Sequence, residues 1–485
     1  MKKKVVTRCL AVSLGSIMAL SLAACGSSSS GSSDSASVAA STAAASATSA
    51  AAATSAAAAS SSASGTEPGM QGSDIKASIT VGGWPSGDDG FKAALPGFNK
   101  LYPNIDVQFN FTDTTSHHQA LATALSAGSG ADDVDMVEGA YIAQYRDSTA
   151  LTNLKEAPYN AEQYKNDFVG LKWNQITSVD GTRINAIPWD IGPCVYYYRS
   201  DVFEECGLPT DPDEVAQMMS TWDGVEKVAK AVSIPGKRWL VPNGAYFYQL
   251  LFCNRDYYDQ DLNLKLERNG DLDALQTAID FRKNGWDMNV DMWSSEAYAA
   301  YQAGTCVSVA TGCWFGGFLK TDIDPDGTGH WKVAKLPGGI ADCNWGGSFL
   351  VIPDQSKNKE AAWDFVQYML CTKEGQNAML QAVDYFPAYT PAYSDPIYDE
   401  ADPYFGGEKT KALYASIAPN LKEVFNTMMD VTAEGCIFST VNAGMDDGST
   451  PEQIRTQLGK DIEDATAELK QQQIQVYKDA GLWNK

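Results

Sequence analysis

The sequence predicts an α/β fold divided into two domains. The chain has 485 residues, which exceeds the size at which one hydrophobic core stops growing, so two domains are expected. Between residues 78 and 138, strand patterns alternate with helix patterns, and this order is typical of a mostly parallel sheet covered by helices. Ligands bind such sheets beyond the carboxyl ends of the strands, so side chains that directly follow strands are the first candidates for a site.

The amino-terminal elements follow from the spacing of apolar residues. A strand at 78–81 leads to Trp84 and a strand at 134–137 leads to Glu138, so both side chains are expected at the same rim of the sheet. Three further elements are predicted between these strands. The first is a helix with a kink or end at Pro96 and one apolar face, formed by Phe91, Leu95, Phe98 and Leu101. An alternating strand at 105–111 follows, and then a helix around Leu121 and Leu125 that stops at Gly128.

The central stretch IPWDIGPCVYYYRSDVFEECGLP (187–209) joins two extended segments. Pro188 favours an extended conformation at the residue before it, and the run 195–198 has strand propensity. Trp189 and Asp190 therefore lie where one extended segment ends and the next begins, a place where side chains can face a cleft. Further strands are predicted at 306–310 and 349–352, and further helices at 221–234, 239–252, 272–281, 357–370 and 450–469.

The first residues have the pattern of an export signal. Lys2, Lys3, Lys4 and Arg8 accompany an apolar stretch from 9 to 22 that is too short to span a bilayer, so residues 1–24 are predicted to be a signal peptide. Leu22-Ala23-Ala24-Cys25 resembles a bacterial lipobox, which implies that Cys25 is acylated; cleavage by an ordinary signal peptidase near Ala24 is the alternative. Residues 25–74, rich in Ser and Ala, then form a flexible, lipid-anchored tether.

Charge and cysteine content exclude several classes of partner. A formal net charge of −24 repels phosphate backbones, so no nucleic-acid partner is expected. Eight cysteines remain beyond Cys9 and Cys25, and they include no CxxC pair and no histidine at a zinc-site spacing. An exported chain permits disulfides, but the length suffices for a core of its own, so we expect buried free thiols. We predict no metal and no cofactor.

Residues 322–327 resemble the first half of a calcium-binding loop. Its twelfth position, which needs a bidentate glutamate, is Val333. An Asp-rich turn is therefore the favoured interpretation.

Four segments in this order resemble the family 1 extracellular solute-binding proteins, the sugar-binding lipoproteins of ABC importers. They are WPSGDDGFKAALPGFNKLYPNIDVQF (84–109), DVDMVEGAY (133–141), the stretch 187–209, and GGSFLVIPDQSKNKEAAWDFVQYMLCTKEGQNAM (346–379). The resemblance implies a two-lobed, periplasmic-binding-protein-like fold of type II, with the ligand cleft between lobes joined by hinge strands near 189 and 346. Lobe 1 would hold 75–188 plus 346–384, and lobe 2 would hold 189–345 plus 385–485.

The resemblance also implies partners and a location. The protein would be a monomer on the extracellular face of the bacterial cytoplasmic membrane, held there by its lipid anchor. It would close around a small-molecule carbohydrate, which we expect to be an oligosaccharide, and deliver it to ABC permease subunits without catalysing a reaction.

A carbohydrate needs aromatic rings for its C–H faces and planar polar groups for its hydroxyls. Aromatics beside polar groups at loop ends, together with nearby carboxylates and a glycine, are therefore the candidate ligand-binding residues: Trp84, Asp88, Asp113, Glu138, Trp189, Asp190, Trp314, Trp345 and Gly346. The alternative for each tryptophan is packing in the core or between the lobes.

Three other functions stay open at this point. A secreted glycoside hydrolase also uses aromatics and a pair of carboxylates, although the chain has neither a GxSxG nor an HExxH motif. The same fold could bind a solute other than a sugar, or it could serve a membrane sensor instead of a permease.

Overall fold

A computed structural model describes residues 72–85 and 87–483. The predicted signal peptide, the acylation site Cys25 and nearly all of the predicted tether lie outside the described residues. The strands are β1 (Ala77–Gly83), β2 (Ile105–Phe111), β3 (Val134–Glu138), β4 (Ile187–Pro188), β5 (Asp190–Ile191), β6 (Cys194–Arg199), β7 (Ser308–Gly312), β8 (Trp331–Ala334), β9 (Ser348–Val351) and β10 (Phe386–Pro387).

Helices connect and cover these strands. The α-helices are α1 (Gly87–Leu101), α2 (Thr114–Ala127), α3 (Ile142–Tyr145), α4 (Gly170–Ile176), α5 (Ser200–Glu205), α6 (Pro212–Met218), α7 (Trp222–Val232), α8 (Ala245–Gln249), α9 (Asp271–Asn284), α10 (Ser295–Gln302), α11 (Phe315–Phe318), α12 (Lys359–Leu370), α13 (Lys373–Val383), α14 (Thr410–Ile417), α15 (Asp430–Asp447) and α16 (Pro451–Asp479). Shorter turns of 3₁₀-helix lie at Ala161–Asp167, Leu250–Phe252, Thr390–Ser394, Pro396–Asp399, Pro403–Phe405 and Ala418–Asn420, and a π-helical turn lies at Leu319–Ile323.

The first lobe is built on a five-stranded sheet in the order β2-β1-β3-β9-β4. β1 pairs in parallel with both β2 and β3, whereas β9 pairs antiparallel with β3 and β4. Phe91 and Phe98 of α1 pack against Phe365 of α12 in the core of this lobe. The predicted α/β order of the amino-terminal region is confirmed.

The second lobe contains an antiparallel sheet in the order β7-β6-β8. Every residue of the central strand β6 is buried, so the aromatic run of this strand serves packing. A separate apolar cluster joins α8, α9, α15 and α16. Helix α16 begins at Pro451 with a reciprocal capping box: the Gln453 N–H donates to the Thr450 hydroxyl, and the Thr450 N–H donates to the Gln453 side chain.

The chain passes more than once between the two lobes. It runs from β4 through β5 into β6, and it returns to the first sheet at β9. A later segment, β10, pairs antiparallel with β5. These crossings produce the two-lobed fold that was predicted, while the division of the remaining segments between the lobes stays a prediction.

Two predicted elements differ from the structure. Helix α1 runs through Pro96 instead of ending there. Pro96 is exposed to solvent while Phe91, Ala94 and Phe98 are buried, so packing of the apolar face maintains the helix despite the missing N–H. In the predicted helix 239–252, only the part from Ala245 is helical, since Trp239 forms a bridge with Cys306 instead.

Candidate functional site

A cleft of about 680 Å³ lies between the lobes. A neighbouring cavity of about 380 Å³ shares four lining residues with it: Trp314, Phe318, Asp322 and Tyr385. The full lining of the cleft is Trp84, Pro85, Asp113, Thr114, Glu138, Asp190, Arg255, Trp293, Tyr298, Trp314, Phe318, Asp322, Trp345, Gly346, Gly347, Ser348 and Tyr385. Most of the candidate residues predicted from the sequence are in this set.

The first-lobe wall of the cleft consists of residues at the carboxyl ends of three parallel strands. Trp84 directly follows β1, Asp113 lies just beyond β2, and Glu138 is the last residue of β3. The prediction that Trp84 and Glu138 share one rim is therefore confirmed. Asp113 also caps α2, because the Ser116 N–H donates to its Oδ1 at 2.9 Å.

His118 of α2 holds this wall in place. Its ring stacks on Trp84 with centroids 5.4 Å apart and on Tyr141 with centroids 4.1 Å apart. The Glu138 N–H donates to Nε2 at 3.1 Å, so Nδ1 carries the proton and donates to the Thr114 carbonyl at 2.7 Å. Burial lowers the pKa of His118 to about 4. The ring is thus neutral at physiological pH and contacts three residues of the cleft lining, Trp84, Thr114 and Glu138.

The floor of the cleft is a buried polar network at the crossings between the lobes. Asp190 accepts from the Ser348 N–H at 2.7 Å, and Lys172 donates to the Gly346 carbonyl at 2.7 Å. Burial raises the pKa of Asp190 and lowers the pKa of Lys172 to about 8. Gly347 has φ +87°, and a Cβ there would lie 2.4 Å from the Asp190 carbonyl oxygen. Only glycine fits this position.

The second-lobe wall is aromatic. The Trp314 ring stacks on Trp293 with centroids 5.5 Å apart and an interplanar angle of 16°. Its Nε1–H donates to the Trp345 carbonyl at 2.8 Å, and the Trp345 Nε1–H donates to Glu434 at 3.1 Å. Because each of these two indole N–H groups donates a hydrogen bond to a protein oxygen, the orientation of both rings is fixed. Trp293 is 41% exposed, which leaves ring surface available in the cleft.

One ion-pair network connects the two walls. Arg255 of the second lobe donates to Glu434 at 2.6 Å, and a guanidinium nitrogen lies 3.8 Å from Glu138 of the first lobe. Burial opposes the charge on Arg255, but these carboxylates raise the pKa of the guanidinium. Arg255 also has φ +56°, an uncommon conformation for a bulky residue. The guanidinium of Arg255, which lines the cleft, is thus paired with both Glu434 and Glu138.

Two of the predicted ligand contacts lie outside the lining of the cleft. Trp189 is completely buried, and its ring packs between Phe91 and Tyr385, with centroids 4.7 and 5.3 Å away. It is a core residue behind the cleft. Asp88 does not line the cleft, because it lies in the first turn of α1 and pairs with Lys92 one turn further along at 2.5 Å.

Several lining residues were not predicted from the sequence. They are Pro85, Thr114, Arg255, Trp293, Tyr298, Phe318, Asp322 and Ser348, with Glu434 and His118 as supporting residues. Arg255 and Glu434 are far apart in the sequence, so no local spacing marks them. Asp322 belongs to the Asp-rich turn, in which Asp324 accepts from the Trp331 indole at 2.8 Å.

Comparison with known proteins places the chain among binding proteins. The sequence pattern of the bacterial extracellular solute-binding proteins matches residues 84–376. The arabinooligosaccharide-binding protein of Halalkalibacterium halodurans is 23% identical over 418 residues, 82% of this chain and 87% of that protein. The arabinooligosaccharide-binding protein of Bacillus subtilis is 24% identical over 352 residues, 70% of this chain and 76% of that protein.

A solved structure with the same fold is the galacto-N-biose-/lacto-N-biose I-binding protein of the ABC transporter from Bifidobacterium longum, in complex with lacto-N-biose. It matches with a TM-score of 0.67 at 19% identity, over 81% of this chain and 98% of that chain. Among residues 72–85 and 87–483, no helix combines the length and apolar character needed to cross a membrane.

Proposed function

The chain belongs to the bacterial extracellular solute-binding proteins, and we propose that it captures an uncharged oligosaccharide in the cleft between its lobes. The observation that carries this proposal is the arrangement of Trp293, Trp314 and Trp345 opposite the carboxylates of the first-lobe wall. The lobes would close around the sugar, and the closed form would deliver it to the permease of an ABC importer.

The two walls supply the two kinds of contact that a sugar needs. Fixed indole rings offer flat apolar surface to the C–H face of a pyranose or furanose ring. Asp113 and Glu138 offer carboxylate oxygens to the hydroxyl groups at its edge, and hydrogen bonds to charged acceptors are the stronger ones. The curated relatives that bind arabinooligosaccharides support a ligand of this class.

The charges in the cleft favour a neutral ligand. Its lining includes Asp113, Glu138, Asp190 and Asp322, whereas its guanidinium, Arg255, is paired with Glu434 and Glu138. A uronic acid would bring another carboxylate to this acidic surface without gaining a free cation. Repulsion by these carboxylates would oppose its binding, and so would the loss of water from a ligand carboxylate that gains no cationic partner.

We further propose that the protein acts as a monomer, anchored through an acylated Cys25 and a Ser/Ala-rich tether. The family is extracellular, which is consistent with a domain held outside the cytoplasmic membrane. Labelling of the protein with a radioactive fatty acid in cells, with a Cys25→Ala variant as control, tests the anchor.

The sugar proposal is tested by calorimetry and thermal shift with neutral arabino- and galacto-oligosaccharides and with matched oligogalacturonates. A neutral sugar present at 100 times its Kd is expected to stabilise the protein by about 2.7 kcal/mol. Chromatography of the sugars after incubation checks for cleavage. Binding of oligogalacturonates alone would contradict the neutral-ligand proposal, and turnover of the sugar would favour the glycoside hydrolase instead.

A further inference from the structure

Three cysteines that are far apart in the sequence converge in the second lobe. The sulfur atoms of Cys194, Cys253 and Cys343 all lie within 4.8 Å of one another, and the residues are 1%, 3% and 5% exposed. All three are free thiols. In the part of the chain that the structure describes, no second group of three His, Cys, Asp or Glu side chains converges in this way. We call this group the thiol triad.

The main chain around the thiol triad is fixed by hydrogen bonds. The Cys194 N–H donates to the Cys343 carbonyl at 2.9 Å, and the Asn344 N–H donates to the Asn254 side chain at 2.8 Å. These bonds join all three segments directly behind the cysteines. The sulfurs are therefore held together by the fold itself and not by flexible side chains on a surface.

We propose that the thiol triad binds a thiophilic divalent metal ion, with Zn²⁺ as the reference ion. Zinc–sulfur bonds of about 2.3 Å place tetrahedral sulfur ligands about 3.8 Å apart. Sulfurs that already lie within 4.8 Å of one another reach this geometry with shifts of about 1 Å or less. No rearrangement of the backbone is needed.

The surroundings supply a fourth ligand and exclude water. The Cys194 sulfur lies 3.7 Å from the Gly192 carbonyl oxygen, and the Cys343 sulfur lies 3.8 Å from that of Leu250. Each oxygen therefore lies next to one sulfur of the triad and is a candidate fourth ligand. The three cysteines belong to an apolar cluster of the second lobe, and soft thiolate ligands favour zinc over Mg²⁺ or Ca²⁺.

Binding releases protons and leaves one negative charge. Three S–H bonds are replaced by three sulfur–metal bonds, and the three protons leave to solvent, because thiolates and not thiols bind the metal. The three thiolates and the divalent ion together carry a net charge of −1. No oxidant or reductant takes part, so the proposal is distinct from disulfide formation.

A metal in the thiol triad would cross-link the segments that support the cleft. Cys253 precedes Arg255 by two residues, Cys343 precedes Trp345 by two, and Cys194 follows Gly192 by two. The ion would thus stabilise the second-lobe wall and the first crossing between the lobes. The proposal does not depend on the identity of the sugar.

Cobalt substitution tests the site, because Co²⁺ bound to thiolates gives charge-transfer absorption in the near ultraviolet. The protein is purified with a reductant that does not bind metal, and is refolded with Co²⁺ because the triad is buried. We expect one Co²⁺ per chain, displacement by Zn²⁺, and a higher melting temperature with either ion.

Single Cys→Ser variants at 194, 253 and 343 are expected to lower metal affinity by at least about tenfold, since even residues that only support metal ligands change it by 10–100-fold. Cys306→Ser is the matched control, because Cys306 is equally buried in the same lobe and should leave binding unchanged. Cys253→Ala is made in parallel, and circular dichroism checks that each variant is folded.

Three results would overturn the proposal. The parent protein could show no charge-transfer absorption with Co²⁺, or folded triad variants could bind the metal as tightly as the parent. Thirdly, in protein isolated without reductant, peptides that contain the triad cysteines could have a mass two hydrogens lower than that of the free thiols. The last result would identify a disulfide. Sugar binding is measured separately, so none of these outcomes bears on the proposed function.

Discussion

The two walls of the cleft are built in different ways. On the first lobe, Trp84, Asp113 and Glu138 follow parallel strands of one sheet, and His118 contacts two of them from behind. On the second lobe, tryptophans come from loops and orient one another by ring contacts and indole hydrogen bonds. The sheet thus fixes polar groups whose direction matters, and the loops supply apolar area. We expect substitutions behind the first wall to change stability and substitutions on the second wall to change affinity.

The largest effect is expected for Trp189→Ala, in the core behind the cleft. The ring is completely buried against Phe91 and Tyr385, so its removal leaves a cavity that costs about 3–5 kcal/mol of unfolding free energy. Urea denaturation measures this loss. A loss of sugar affinity without a loss of stability would instead show that Trp189 contacts the ligand.

Acidification is expected to weaken the first wall through His118. Burial lowers the pKa of this ring to about 4, below the unfolded value of about 6.5, so the unfolded state binds more protons between these values. The neutral ring contributes stability above pH 6.5, and about 3 kcal/mol of it is lost as the pH falls from about 6.5 to about 4.

Denaturation at several pH values checks this expectation with two variants. His118→Gln should flatten the pH dependence in that window, whereas His330→Gln, at an exposed position, should leave it unchanged. His117 has a pKa that burial lowers in the same direction, so some dependence should remain in the first variant. An identical profile in parent and His118→Gln would exclude His118 as its source.

Trp293→Ala is expected to weaken sugar binding with little change in stability. The ring is 41% exposed, so folding loses little, but a stacking surface is removed at a cost of about 1–3 kcal/mol in binding. Calorimetry measures the affinity. Trp222→Ala is the control, because this ring packs against Phe247 outside the cleft and should reduce stability alone. The reverse pattern would show that the aromatic wall is structural.

The smallest effect is expected for Asp113→Asn. Asparagine is an equally good helix cap, so stability should change by less than about 0.5 kcal/mol. Loss of the charged acceptor should weaken binding of a neutral sugar by about 1 kcal/mol. Calorimetry measures the sugar affinity of this variant. The control is Asp106→Asn, because Asp106 is an acidic surface residue outside the cleft. Tighter binding by Asp113→Asn would remove this carboxylate from the proposed contacts.

The first wall could be predicted from the sequence because its residues follow strands with clear periodicity. The positions of Trp84 and Glu138 were predicted from one rule alone, that the carboxyl ends of parallel strands lie at one edge of the sheet. Trp189 and Asp190 looked equivalent, since an aromatic and a carboxylate side by side suit either a cleft or its supporting core. Only the packing separates them: Asp190 lines the cleft and Trp189 does not.

The second wall and the thiol triad could not be predicted in this way. Arg255 meets Glu434 and Glu138 through contacts between distant segments, and Trp293 precedes a short helix with no pattern that distinguishes it from other loop tryptophans. The absence of a CxxC pair suggested dispersed thiols, yet Cys194, Cys253 and Cys343 converge. Local spacing does not report proximity that the tertiary fold creates.

The position of β9 determines the order in which this protein can fold. The strand begins at Ser348, yet it lies between β3 and β4, which end at Glu138 and Pro188. Until β9 has been synthesised, β3 has an unpaired edge and the first sheet lacks an inner strand. Such distant pairing slows folding and exposes an edge prone to aggregation. A fragment covering 75–188 is therefore expected to be insoluble when it is expressed without the rest of the chain.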